Sequence, residues 1–264
     1  MTRWIELDGV VNMRDLGGLP THDGRSTRDG RLIRSDNLQD LTDADVRQLI
    51  EVLHVSDIVD LRSDTERTLT GPGPLTTTPL AHHHLSFLPD DAFSDVRPVE
   101  TEAIGRSALA MPWHDRPGTR SRADFWTQHY LGYLNNRPDS VGGALGVIAG
   151  STGGTVVHCA AGKDRTGTVT ALALSVAGVP DEEIVADYAI TAERIERIIE
   201  RLADVEPYAS GLRGRSLDEQ RPKPETIIAI LNTLNEDFGG ATGWLREQGW
   251  DEDRVGALRS RLVD

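Results

Sequence analysis

Apolar residues recur at two distinct periods along this chain. In "LTDADVRQLIEVL", Leu41 to Leu53, the residues Val46, Leu49, Ile50 and Leu53 share one face of a 3.6-residue period, which predicts a helix. Thr42 stands where an N-cap belongs, and Asp45 follows three residues later. The next run, "VSDIVDLRS", is short and β-branched and predicts a buried strand over Asp57 to Leu61. "GPGPLTTTPL" reads as a loop, and "HHHLSFLP" as a short strand ended by Pro89. Residues 90–122 are polar and poorly periodic and read as the most mobile stretch. Helices are predicted over Phe125 to Leu134 and Val141 to Ile148, a strand over Thr155 to His158, and a helix over Thr166 to Ala177 closed by Gly178. A long charged helix is predicted around Asp181 to Leu202. "PYASGLRGRSLDEQRPKP" interrupts it, Pro224 opens a helix to about Asn235, and Asp251 to Leu262 forms the last.

Strands alternating with helices indicate an α/β fold: a central, largely parallel sheet flanked by helices, with a helical C-terminal third. The 264 residues carry no Pro/Gly/Ser-rich linker, so one domain over residues 1–264 is expected. The formal net charge is −14, which argues against nucleic acid as a partner. Salt screens fields over about 8 Å, so a local cationic pocket for a small anion stays compatible with that charge. No basic segment leads into an apolar one at the N-terminus, and no run of about 18 apolar residues exists; neither a signal peptide nor stable membrane insertion is expected. A single cysteine forms no internal disulfide, which favours a reduced, cytoplasmic setting; export without a cleavable signal stays open. Oligomeric state is not legible.

That cysteine, Cys159, lies in "TVVHCAAGKDRTGTVTALALSVAG". A lone cysteine is by default a small buried hydrophobe, but its neighbours point elsewhere. A strand ends at His158 and a helix begins near Arg165. Between them Ala160, Ala161 and Gly162 are small enough for backbone N–H groups to wrap a tetrahedral anion at the helix N-terminus. Helix N-termini and neighbouring Arg or Lys favour thiolate over thiol. Arg165 can return its planar fork to the mouth and grip two phosphate oxygens.

"HCAAGKDRTG" matches the H-C-x5-R-[ST]-G signature of protein tyrosine phosphatases. Its "GKDRTG" portion resembles the atypical bacterial branch with combined tyrosine-phosphatase and phosphoinositide-phosphatase activity. "NMRDLGG", "RLIRSDNL", "LTDADV", "IVDLRSDTE", "GVPDEEIVADYAIT" and "FGGATGWLREQGW" resemble that branch in order, so the likeness spans about Asn12 to Val263. It implies that Cys159 is the nucleophile of a phosphocysteine intermediate. Arg165 then binds phosphate, with the amides of Ala160 to Arg165 completing the cradle. His158 orients the loop, and Thr166 bonds the thiolate. Lys163 adds a second cation suited to highly anionic phosphoinositides. The substrates implied are phosphotyrosine, with phosphoserine/threonine and phosphoinositides as further classes, and no metal or other cofactor.

The leaving oxygen needs a proton donor. Asp164, inside the cradle, matches the in-loop aspartate of the branch; otherwise it is a helix-capping carboxylate. Asp60 is the runner-up, because sites collect at the C-terminal ends of parallel strands, with Arg62 beside it as a pairing or substrate-binding cation. Asp90, Asp91 and Asp115 have loop-like settings and are weaker candidates. The "HHH" at 82–84 suggests strand rather than metal, since adjacent strand residues point to opposite faces. "NMRDLGG" reads as a structural turn whose Arg14 could approach the pocket. Ile195, Ile198, Ile199 and Leu202 share a side that is either core or, as the resemblance suggests, the underside of a lid over about residues 190–225, shielding the thiolate from peroxide. Two other readings compete: a rhodanese-like sulfurtransferase and a non-catalytic phosphate-binding module.

Overall fold

The computed structural model of the chain describes residues 3–88 and 130–264. Six strands form one sheet in the order β1-β2-β3-β6-β4-β5: β1 Arg3–Trp4, β2 Arg14–Asp15, β3 Leu32–Ser35, β4 Val55–Asp60, β5 Ala81–His84 and β6 Gly154–His158. β3, β6, β4 and β5 run parallel, while β1 and β2 extend the β3 edge antiparallel. The helices are α1 Asp43–Arg47, α2 Asp64–Thr70, α3 Pro138–Gly150, α4 Asp164–Ala177, α5 Asp181–Ala189, α6 Ile195–Ala203, α7 Tyr208–Leu212, α8 Leu217–Gln220, α9 Pro224–Phe238, α10 Ala241–Glu247 and α11 Glu252–Leu262. The fold is α/β with a helical C-terminal third, as the alternation predicts.

The two sheet faces bury different partners. Val59, Val157 and Leu61 pack with helices α3, α4 and α9 through Leu145, Leu172 and Ile230. Ile33, Ile58 and Val156 face the other way, onto Leu38, Leu41 and Leu49. Every residue of β6 is buried, consistent with the continuous apolar run of a central parallel strand.

Thr42 caps α1, and Thr42 and Asp45 form the expected capping box. The helix predicted to Leu53 passes instead into a π-type turn over Gln48–Val52. The long helix predicted over Asp181 to Leu202 is broken: α5 ends at Ala189, and a 3-10 segment, Ile190–Arg194, precedes α6. The cause is a side chain. Arg14 Nη2 donates to the carbonyl of Asp187 at 2.7 Å and to Thr191 Oγ1 at 3.1 Å, entering the ladder where the Thr191 amide belongs. The turn expected at "NMRDLGG" is present at Gly17 and Gly18, where Gly18 has φ +77°, and the motif's Arg14 and Asp15 add the short strand β2 before it. The predicted helix over 125–134 is described only from residue 130, where helix runs to 136. The stretch read as mobile, residues 90–122, lies outside the described residues.

Candidate active site

Three parallel strands end level: Ser35 of β3 and Asp60 of β4 both pair with His158 of β6. Residues 159–163 turn from β6 into α4. Gly162 makes that turn possible. Its φ is +64°, and a Cβ there would lie 2.4 Å from the Ser35 carbonyl oxygen; the site therefore demands glycine. The carbonyls of this loop point outward: Ala160 O accepts from Asn37 N at 2.9 Å, and Lys163 O from Gly167 N at 2.7 Å. Among the described residues no hydrogen bond uses the N–H groups of Ala160 to Arg165. With the N-terminus of the 14-residue α4, they form a convergent donor set for an anion.

Cys159 is buried at the base of the loop. It lines a cavity of about 30 Å³ together with Ala160, Ala161, Lys163, Asp164 and Arg165. Tyr133, Ile195, Ile199, Leu202, Tyr208 and Leu212 cover it. One water needs about 10–15 Å³, so the cavity admits water and no aryl ring.

Arg165 is 4% exposed and forms a two-point ion pair with Glu66, Nη1–Oε2 at 2.6 Å and Nη2–Oε1 at 2.8 Å. Burial opposes its charge, but Glu66 and then Cys159 outweigh it and hold the guanidinium well above its usual range. No described residue accepts from its Nε, which leaves one edge of the fork for phosphate. Glu66 itself is fixed because Oε2 also accepts from Ser63 N in the capping box of α2. Sequence reasoning missed Glu66, although "SDTE" carries that box openly.

Asp164 lines the cavity and accepts from the Tyr188 hydroxyl at 2.8 Å and from Lys163 Nζ at 3.0 Å. Gly167, where a Cβ would come within 2.9 Å of the Tyr188 ring, lets that ring lie against α4. Burial raises the Tyr188 and Tyr130 phenols well above their usual range, so both stay neutral beside Asp164. Asp164 is the first helical residue, and its side chain makes no cap bond within α4. Thr166 Oγ1 is buried with no partner among the described residues, so the bond expected from Thr166 to the thiolate is not made.

Asp60 departs from the acid role, while Arg62 takes the pairing role that the sequence left open to it. They pair with each other, Arg62 Nη2–Asp60 Oδ2 at 2.6 Å and Nε–Oδ1 at 2.9 Å, and line a separate groove with His82, His83 and His84. Burial raises the Asp60 carboxyl, but His158 and Arg62 more than reverse this and keep it below the usual carboxylate range. A carboxyl held ionised outside the cavity does not suit proton donation, and Arg62, tied also to Thr70, does not line the Cys159 cavity. The three histidines turn to separate partners, Leu75 O, Asp57 and Arg62 O. Asp90, Asp91 and Asp115 lie outside the described residues.

His158 is fully buried. Burial, only partly offset by Asp60, lowers it from 6.5 to about 4, so it is neutral at working pH and cannot take a proton from the thiol there. Nδ1 lies 3.4 Å from Cys159 O, an orienting contact. The unfolded chain binds this proton near 6.5 and the folded chain only near 4. Stability is therefore complete above about pH 6.5 and is expected to fall by about 3 kcal/mol toward pH 4. Asp36, whose carboxyl burial pushes up, acts in the opposite sense over part of that range. Urea unfolding of wild type and His158→Asn across pH 4–7 checks this; equal slopes in both would overturn it.

A buried cysteine and arginine, joined by an amide loop between a strand and a helix, form a site shaped for a small oxyanion. Comparison with known proteins agrees. The tyrosine phosphatase family matches residues 5–264. The triple specificity protein phosphatase PtpB of Mycobacterium tuberculosis is 30% identical over 280 residues, covering 98% of each chain. A tyrosine-protein phosphatase of Nostoc commune is 30% identical over 241 residues, covering 87% of this chain and 73% of that one. The chain belongs to the tyrosine phosphatase family.

Proposed function

We propose that this chain is a cysteine-dependent phosphatase that hydrolyses phosphotyrosine through a phosphocysteine intermediate. The observation that carries this reading is the convergence of Cys159, Arg165 and the unengaged loop amides on one cavity. The Cys159 thiolate attacks phosphorus, the S–P bond forms, and the P–O bond to the tyrosine breaks. Asp164 gives its proton to the departing phenolate oxygen. Water then attacks phosphorus, Asp164 takes a proton from it, and the S–P bond breaks to release inorganic phosphate. Arg165 and the loop N–H groups hold the equatorial oxygens as charge develops. Thr166, with its unpartnered hydroxyl, donates to the sulfur as it leaves.

The test is hydrolysis of p-nitrophenyl phosphate and a phosphotyrosine peptide with EDTA present. The thiolate must be deprotonated and the acid protonated, so kcat/KM is expected to follow a bell with a mildly acidic optimum. A flat profile would count against the pairing. Persulfide formation from thiosulfate would favour the sulfurtransferase instead, and phosphopeptide binding without turnover the binding module. Asp164→Asn is expected to slow phosphotyrosine ester hydrolysis by about 10²–10⁴-fold. The loss should be smaller for p-nitrophenyl phosphate, whose leaving group needs little help; equal loss on both would remove Asp164 from the acid role.

PtpB is named for triple specificity, and Lys163 beside the cavity supports the same breadth here, including phosphoserine/threonine and phosphoinositides. Lys163→Ala should reduce phosphoinositide turnover about tenfold more than phosphotyrosine turnover, the difference being one lost charge contact. Equal reduction would sink that idea. Residues 190–225 act as a lid in this reading, because a cavity of about 30 Å³ must open before an aryl phosphate enters. Residues 1–264 form one phosphatase domain. A lone catalytic thiol with no second cysteine to resolve it suits the reducing cytoplasm. No helix among the described residues is long and apolar enough to cross a membrane.

A further inference from the structure

An amide cradle works only if its peptide planes are held one way round. N–H groups that point in at an anion force the matching carbonyls to point out, into protein, where each needs a donor. Two side chains from the far end of the sequence supply them. Asn12 Nδ2 donates to Ala161 O at 2.9 Å and to Gly162 O at 3.2 Å. Arg34 Nη2 donates to Gly162 O at 2.8 Å and to Lys163 O at 3.2 Å. Three consecutive carbonyls are thus pinned from behind the loop.

These donors are themselves oriented. Arg14 Nη1 donates to Asn12 Oδ1 at 2.7 Å, which turns the amide so that Nδ2 faces the loop. Asp187 accepts from Arg14 Nε at 2.7 Å and from Arg34 Nη1. Asn12, Arg14 and Arg34 are fully buried, and Asp187 is 8% exposed in its side chain. Burial first, then Arg34, lowers Arg14 to about 10, with Asp187 opposing, so Arg14 stays charged at neutral pH. Two cations against one carboxylate leave one positive charge behind the anion cradle.

The geometry points to Asn12 and Arg34 as positioning residues of the phosphate-binding loop, anchored through Arg14 and Asp187, on which the site's affinity for tetrahedral oxyanions depends. The inference rests on the phosphatase reading for its consequence in turnover, but not for its consequence in binding. Neither residue touches substrate; each acts through the peptide planes of Ala161 to Lys163.

The experiment is tungstate binding by calorimetry, with kcat and KM for p-nitrophenyl phosphate, on the full chain at least 15 °C below each variant's melting midpoint. Arg34→Lys keeps the cation opposite Asp187, but a single ammonium cannot span that carboxylate and two carbonyls. Asn12→Ala removes one amide. Each is expected to weaken tungstate binding by about ten- to a hundredfold and to lower kcat/KM by a similar factor, since an anion mimic and the transition state use the same amides. Folded variants that bind tungstate and turn over within twofold of wild type, even with lowered melting midpoints, would show a merely structural role and overturn the proposal. Should Arg34→Lys fail to fold, Asn12→Ala decides. Wild type that binds tungstate yet hydrolyses no phosphate ester would overturn the phosphatase reading and leave the loop's test intact.

Discussion

Replacing Cys159 with serine is expected to reduce p-nitrophenyl phosphate turnover by about 10⁴-fold or more. A serine hydroxyl is scarcely ionised at the pH where the thiolate forms, so it needs a base beside it. The one imidazole at hand cannot serve: His158 directs Nδ1 to the Cys159 carbonyl and is held close to Asp60 on its other side. The fold should survive, since Cys159 is a small side chain in a cavity that already admits water, and oxygen for sulfur is nearly isosteric. The variant should therefore still bind tungstate and phosphopeptide. Turnover within tenfold of wild type in Cys159→Ser would overturn the thiolate mechanism.

Glu66→Gln is expected to lower stability by about 3–5 kcal/mol and the melting midpoint by roughly 6–12 °C. Glu66 is wholly buried and neutralises Arg165 through two short contacts. The glutamine keeps the shape but strands the guanidinium charge in a site from which water is mostly excluded. A bound dianion replaces the missing countercharge, so saturating tungstate should raise the melting midpoint further in Glu66→Gln than in wild type. Thermal melts with and without tungstate check both halves. A midpoint unchanged by the substitution, or a smaller tungstate effect in the variant, would show that Glu66 does not hold the charge of Arg165.

Much of this site is local and was therefore legible. β6, the loop and α4 are contiguous, so Cys159, Lys163, Asp164 and Arg165 could be placed from one stretch of sequence. The partners that discipline them are not contiguous. Arg34 reaches carbonyls 128 and 129 residues away, and Asn12 reaches 149 and 150. β2 has two described residues and β3 four, too short for either to show a period. A buried arginine on a strand looks in sequence like a surface one, because only its distant carboxylate makes burial tolerable. The break after Ala189 was hidden for the same reason: local propensity favours continued helix, and Arg14, 173 residues upstream of Asp187, interrupts it. Asp60 misled because position on a strand predicts proximity to a site but not which way a carboxylate is committed. Its neighbour Arg62 decided that.

The molecule has a single sulfhydryl, and it lies behind Ile195, Ile199, Leu202 and Tyr208. Alkylation of the folded protein therefore reports on a single thiol, and among the described residues the side chains that must part for it are these. The rate of alkylation would follow how often or how long the site is open, and reagents graded by size would give the aperture. The chain carries a built-in gauge of its own breathing, with no engineered label required.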